Sequence, residues 1–257
     1  MKKHLILSLL AAVVQFSCTH YYYVSNVQNV PMLQEKNDLQ VSGFFGGWDE
    51  SKCIELQTAF APAENIGVLA NFMTAWGGNV SERDYGKGSC FDLGMGYFKP
   101  VNEILIIEVY GGIGGGSQSH EYEELSYNPG TGGIDSQYAG SARLSSSRIF
   151  IQPSLGIKSS GFEAAVSVRG SRLSYPSVTN SYYDEELSHI GDNPHFFIEP
   201  ALTLRAVWNN IKLQGQISYT GYISSPRQNF YEEAHLSGGL IFTIPVKLKM
   251  NPESTSE

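Results

Sequence analysis

The sequence predicts an all-β fold: an up-and-down antiparallel transmembrane β-barrel of about ten strands, with short periplasmic turns and long external loops. Three observations predict it. Charged residues make up only 16% of the 257, against about 25% in an ordinary soluble domain. Beyond the leader, no apolar run reaches the roughly 18 residues that a membrane-crossing helix needs. Short apolar/polar alternations at period 2, the mark of half-buried strands, follow one another from Asp38 onward. A chain poor in charge and without a spanning helix is left with a closed barrel, because every backbone N–H and C=O must be paired inside a bilayer. The net charge of −8 excludes nucleic acid as a partner, which would need a basic face.

The leader comes first. Lys2 and Lys3 form a positive start, Leu5 to Val14 an apolar stretch, and Gln15, Phe16 and Ser17 lead to Cys18. This is the anatomy of a signal peptide over residues 1–17. A small residue directly before a Cys is the arrangement of a lipoprotein cleavage site, with Cys18 lipidated. Ordinary signal-peptide cleavage near the same point is the alternative, and either one implies export. Residues 18–37 are polar, with Tyr21, Tyr22, Tyr23 and Pro31 and no lasting period, and are expected to be a periplasmic linker. The barrel is expected over 38–250, followed by a polar tail over 251–257.

The strands follow in order. After one around Leu39–Gly46, Ile54, Leu56, Thr58 and Phe60 oppose Glu55, Gln57 and Ala59. Ile66, Val68, Ala70, Phe72 and Trp76 share a face, and Phe91, Leu93, Met95 and Tyr97 oppose Asp92, Gly94 and Gly96. Leu105, Ile107 and Val109 oppose Glu108 and Tyr110; Ile149, Ile151, Leu155 and Ile157 oppose Gln152, Ser154 and Lys158. Phe162, Ala164, Val166 and Val168 oppose Glu163, Ser167 and Arg169; Phe196, Ile198, Leu202 and Leu204 oppose Glu199, Thr203 and Arg205. Ile211, Leu213, Ile217 and Tyr219 oppose Lys212, Gln214 and Gln216, and Leu236 to Val246 completes the set.

Connections alternate in length. Short ones are expected at Pro62–Asn65, Lys99–Glu103, Ser159–Gly161 and Asn209–Asn210, where Asn tolerates the positive φ of a tight hairpin. Long ones are expected at Gly46–Lys52, Gly77–Ser89, Ser117–Ala142, Ser174–Pro194 and Ser224–Glu232. Aromatic residues near the strand ends should then face outward into the two lipid interfaces. Phe60, Tyr97, Phe162 and Trp208 adjoin short turns on the apolar parity, and Trp76, Phe196 and Tyr219 lie toward the opposite rim with the same parity.

The stretch NVPMLQEKNDLQVSG followed by ELQTAFAPAENIGVLANF, from Asn29 through Phe72, resembles the opening of a mostly uncharacterised family of outer-membrane β-barrel proteins from Bacteroidota. Its turn is Ala59, Phe60, Ala61, Pro62, Ala63, Glu64, Asn65, Ile66, Gly67. The resemblance covers about a fifth of the chain. It implies fold and cell outer-membrane location and brings no catalytic residues, cofactor or ligand. The implied partners are outer-membrane lipid, lipopolysaccharide and the barrel-insertion machinery. Because the chain ends on a polar tail, the signal that machinery reads is expected inside the last strand, around Leu240, Phe242 and Ile244.

Inward parity gathers Glu55, Glu108, Arg169, Glu199 and Arg205, an expected lumen charge network. In so narrow a barrel it is either a structural plug or a polar path for a small solute, since wide aqueous channels belong to barrels of about 16 strands. Cys53 and Cys90 are a candidate disulfide, but they sit on second-neighbour strands about 9–10 Å apart. A bridge tolerates Cα separations up to about 7 Å, so the rim would have to flex. Acidic loops carry Glu121, Glu123, Glu124, Asp135, Asp184, Glu185, Glu186, Asp192, Glu232 and Glu233, without the spacing of a dedicated Ca²⁺ loop. The same loops hold many Tyr and Ser, residues favoured on recognition surfaces. No metal or cofactor is expected. Gly111–Gly116 is no phosphate loop, since no Lys-Ser/Thr follows. The expected role is non-enzymatic: structure, surface display or narrow passage of small solutes. Two alternatives remain. One is a membrane-embedded hydrolase or acyltransferase at the outer rim using His189, His195 and His235; the other is a lipid-anchored soluble β-sandwich.

Overall fold

A computed structural model describes residues 21–48, 51–79, 84–128, 130, 132–182, 185–224 and 230–245. The signal peptide, Cys18 and the polar tail expected from the sequence lie outside them. The strands are β1 (Asp38–Trp48), β2 (Ser51–Ala63), β3 (Ile66–Asn79), β4 (Asp84–Pro100), β5 (Leu105–Asn128) and β6 (Gly133–Lys158). Then come β7 (Phe162–Asn180), a short helix α1 (Glu185–His189), β8 (His195–Trp208), β9 (Ile211–Tyr219), β10 (Gly221–Tyr222) and β11 (Ala234–Pro245). Two-residue β10 continues β9 along the same neighbour, β8. Every strand runs antiparallel to the strands it is bonded to, and β1 pairs with β11 from Asp38↔Pro245 to Gly47↔Leu236. With β9 and β10 counted as one, ten strands close a ring, and no sheet edge is left in the bilayer.

The register confirms the parity. Leu56, Phe72, Leu93, Ile107, Ile151 and Leu202 are exposed, while Glu55, Gln57, Asp92, Glu108, Gln152 and Thr203 are buried. Successive side chains on a strand point to opposite faces, so the apolar set lies outside and the polar set inside, the reverse of a soluble core. Tyr97, Phe162 and Trp208 near one rim, and Trp76, Phe196 and Tyr219 toward the other, all project outward. Phe60 shares their parity and is half-buried.

The short turns fall where expected, and each has a local cause. Asn65 (φ 60°) and Asn209 (φ 52°) supply the positive φ of their turns. Between β4 and β5 the Asn102 side chain accepts the N–H groups of Ile104 and Leu105 at 2.9 and 2.8 Å. The long connections need correction. Gly46–Lys52 is mostly strand, with Trp48 paired to Ser51, and Gly77–Ser89 continues the ladder out to Asn79↔Asp84. Ser117–Ala142 is an extended hairpin of β5 on β6, paired from Leu105↔Ile157 to Asn128↔Gly133. Of Ser174–Pro194, the first part is the end of β7, and α1 follows. The reason is physical. Above the bilayer the outer face of a strand meets water instead of lipid, so the outward apolar residues that create the alternation are gone, while the hydrogen-bonded ladder persists and the inner face stays buried at His120, Tyr122, Ala142 and Leu144.

A second correction concerns residues 18–37. The part expected as a periplasmic linker is inside the barrel from Tyr22 to Leu33: Val27, Gln28 and Leu33 are wholly buried. An eight-stranded ring is about filled by its own side chains; a ten-stranded one leaves room for one extended chain. A segment touched by wall residues on all sides has no reason to carry a period of 2 or 3.6.

Candidate functional site

The site with the densest chemistry is the lumen around this plug. An extended segment away from any ladder must find other partners for its N–H and C=O groups, because an unpaired buried group costs about 1–3 kcal/mol. The inward amides and carboxylates of the wall supply them. Val27 N–H donates to Glu55 Oε2 at 2.9 Å, and Gln28 N–H to Gln216 Oε1 at 2.7 Å. Gln57, Gln216, Gln152 and Gln40 donate to the carbonyls of Val27, Gln28, Asn29 and Pro31 at 2.8, 2.9, 2.8 and 2.8 Å. Farther out, Gln118 Nε2 and Tyr175 OH both donate to Tyr22 O at 2.6 Å. Glutamines from strands right round the ring therefore grip the plug by its backbone.

The charges divide into two groups. In the middle of the lumen Arg169 Nε donates to Glu199 Oε2 at 2.7 Å, and Tyr23 OH donates to the other Glu199 oxygen at 2.8 Å. Arg148 pairs with Asp92 and donates to Asn26 Oδ1 at 2.7 Å; Arg169 Nη1 reaches the same oxygen at 2.8 Å. Asn26 Nδ2 donates in turn to Asp92 Oδ2 at 2.8 Å. One plug amide thus ties two arginines to a carboxylate. Nearer the short turns, Glu163 is shared by Arg205 at 3.2 Å and Lys212 at 2.8 Å, while Arg205 also donates to Val30 O and to Gln214 Oε1. Of the five expected network residues, then, the structure pairs only Arg169 with Glu199. Arg205 turns to Glu163. Glu55 and Glu108 serve the plug, Glu108 by receiving the N–H groups of Met32 and Leu33. Asp92, Arg148, Glu163 and Lys212 complete the set. Their inward parity announced Asp92, Glu163 and Lys212, whereas Arg148 precedes the stretch where alternation is visible.

Two apolar clusters close the ends. Leu33, Ala59, Ala61, Leu69, Phe98 and Tyr110 pack together near the short turns. At the outer mouth Tyr22, Tyr23, Tyr122, Tyr175, Phe197, Phe230 and Tyr231 form an aromatic cap with the α1 residue Leu187. The plug joins this cap by a bridge between Tyr23 and Tyr231, with Tyr22 N–H donating to Phe230 O at 2.7 Å. A cavity of about 120 Å³ remains beside the cap, lined in part by Tyr22, Ser89, Gln118, His120, Arg148 and Tyr175. Bare wall positions make room for these side chains: a Cβ on Gly86 would strike His120, and one on Gly114 would overlap Asp92.

The candidate disulfide is absent. Cys53 and Cys90 are free thiols, separated by the strand between them. Cys53 instead has its Sγ 3.7 Å from His235 Nε2, and His235 Nδ1 lies 3.6 Å from Glu232 Oε2, whose other oxygen accepts from Ser51. The expected histidine trio keeps separate company. His189 pairs with Asp192 at 2.9 Å. His195 touches Ile190 O at 2.8 Å and Tyr222 OH at 3.1 Å. Among the described residues no group of three or more His, Cys, Asp or Glu is placed to hold a metal ion.

A closed ring with a polar lumen, a lipid-facing apolar belt and two outward aromatic bands has one setting. The protein is an outer-membrane β-barrel. Its short turns mark the periplasmic side. No family model and no curated protein matches the chain. Solved structures of similar shape include the outer-membrane protease OmpT of Escherichia coli, 11% identical, with a TM-score of 0.44 over 81% of this chain and 97% of that one. The KdgM porin, 9% identical, has a TM-score of 0.39 over 80% and 99%. Ail, the attachment invasion locus protein of Yersinia pestis, is 11% identical, with a TM-score of 0.36 over 81% and 99%.

Proposed function

We propose that this outer-membrane barrel is non-enzymatic and closed to solutes: a structural and surface-display protein whose presented face is the aromatic cap and the extended β5–β6 hairpin. The observation behind this reading is the plug. A small solute on the porin-like path weighed from the sequence would have to pass Asn26 and Gln28, both buried and hydrogen-bonded to the wall. In this reading its surroundings are outer-membrane lipid and lipopolysaccharide, and the insertion machinery reads Leu240, Phe242 and Ile244 of β11. Planar-bilayer recording tests the closed state. The purified protein should show no conductance steps, and replacing residues 24–33 by a Gly/Ser segment should produce them. Steady steps from the unaltered protein would overturn it.

The hydrolase or acyltransferase alternative has one observation in its favour, the row Cys53, His235, Glu232, which places a thiol, an imidazole and a carboxylate in sequence. The three are 0%, 2% and 1% exposed, with the thiol facing the lumen wall. A working nucleophile must be reachable. Cys53 in the folded protein is therefore expected to resist iodoacetamide until denaturation, and alkylation on the timescale of a free surface thiol would revive the enzymatic reading.

A further inference from the structure

The contacts of residues 21–37 run in one direction through the wall. Asn37 N–H donates to Ala61 O at 2.8 Å, and Leu33 packs with Ala59, Ala61 and Phe98, beside the periplasmic turns. Met32 O faces Lys158, the last residue of β6 before its short turn. Arg205, which holds Val30 O, is three residues from the end of β8. Gln28 meets Ser167 at 2.7 Å and Asn26 meets Asp92 and Arg148, at mid-wall. Tyr23 stacks on Phe197, 4.6 Å between centroids, at the outer start of β8. Tyr22 bonds the hydroxyl of Tyr122 at 2.8 Å, in the part of β5 that rises past the lipid belt. Read backwards from Asp38, the chain climbs without reversal from the periplasmic mouth to the outer cap. The twelve steps from Leu33 to Tyr21 can span up to about 40 Å, more than the roughly 30 Å hydrocarbon layer.

The geometry points to an outward-threaded chain: residues 21–33 are a further membrane crossing, made through the lumen, and Tyr21 is presented at the cell surface. A crossing away from any ladder is admissible in a membrane only where protein surrounds it, and the glutamine ring provides that surround.

An epitope inserted between His20 and Tyr21 tests the threading, with a matched epitope in the Glu64–Asn65 turn as the periplasmic reference. An impermeant antibody applied to intact cells should stain the first strongly and the second only after the outer membrane is opened. Staining of the first that also requires opening the membrane, or staining of the turn epitope on intact cells, overturns the proposal. Tyr21→Cys guards against an insertion that disturbs folding. In intact cells an impermeant biotin maleimide should give an adduct that peptide mapping places at residue 21, and an adduct found there only in opened cells counts equally against the proposal.

Discussion

Gly114 shows how residue-scale choices shape the lumen. It faces inward where a Cβ would overlap the Asp92 carboxylate, which is itself held by Arg148 and by Asn26 of the plug. Filling that space displaces one member of a buried charge pair, and breaking such a pair costs about 3–5 kcal/mol. Gly114→Val is accordingly expected to lower the free energy of unfolding from lipid vesicles by about 3–5 kcal/mol, read as a lower urea midpoint, or to block folding outright. Gly215→Ala, an outward position with open space around it, should leave the midpoint unchanged. At this scale parity was informative: Glu55, Glu108, Arg169, Glu199 and Arg205 were all placed inside from period 2 alone, and all are buried. Who pairs with whom was not legible. Pairing across a lumen depends on height and on how far round the ring two strands lie, and Arg205 finds Glu163 on the neighbouring strand because their register positions are opposite each other.

At the scale of the strand, the outer belt is held by solvation. Each lipid-facing Leu or Ile would lose favourable transfer free energy in water, and a charge there is worse. Leu202, near the middle of β8 and exposed outward, tests the belt. Leu202→Lys is expected to destabilise the barrel by about 2–4 kcal/mol in bilayers, seen as loss of heat-modifiable migration at lower denaturant. A water-soluble sandwich would tolerate the same change at an exposed site. Strand cores were legible because lipid on one side and polar groups on the other impose alternation. Strand ends above the membrane were not, since the outward residues Ser117, Ser119 and Glu121 continue β5 facing water instead of lipid. The turns at Asn65 and Asn209 were legible through their side-chain chemistry.

At the scale of the whole molecule, ring closure was foreseeable from the unpaired-edge cost, whereas the plug was hidden. Its sequence, from Tyr22 to Leu33, carries neither the period of a strand nor that of a helix, because its partners come from the circumference and not from a repeating neighbour. The inward glutamines were a usable signal. Gln57, Gln152, Gln214 and Gln216 share lumen parity, and so many neutral amides pointing into a narrow tube need something with a backbone to bind. That binding also limits the routes of assembly. A hoop already sealed by β1 on β11 offers the leading stretch no sideways way in, so its own beginning is either enclosed before that seam shuts or threaded endwise afterwards.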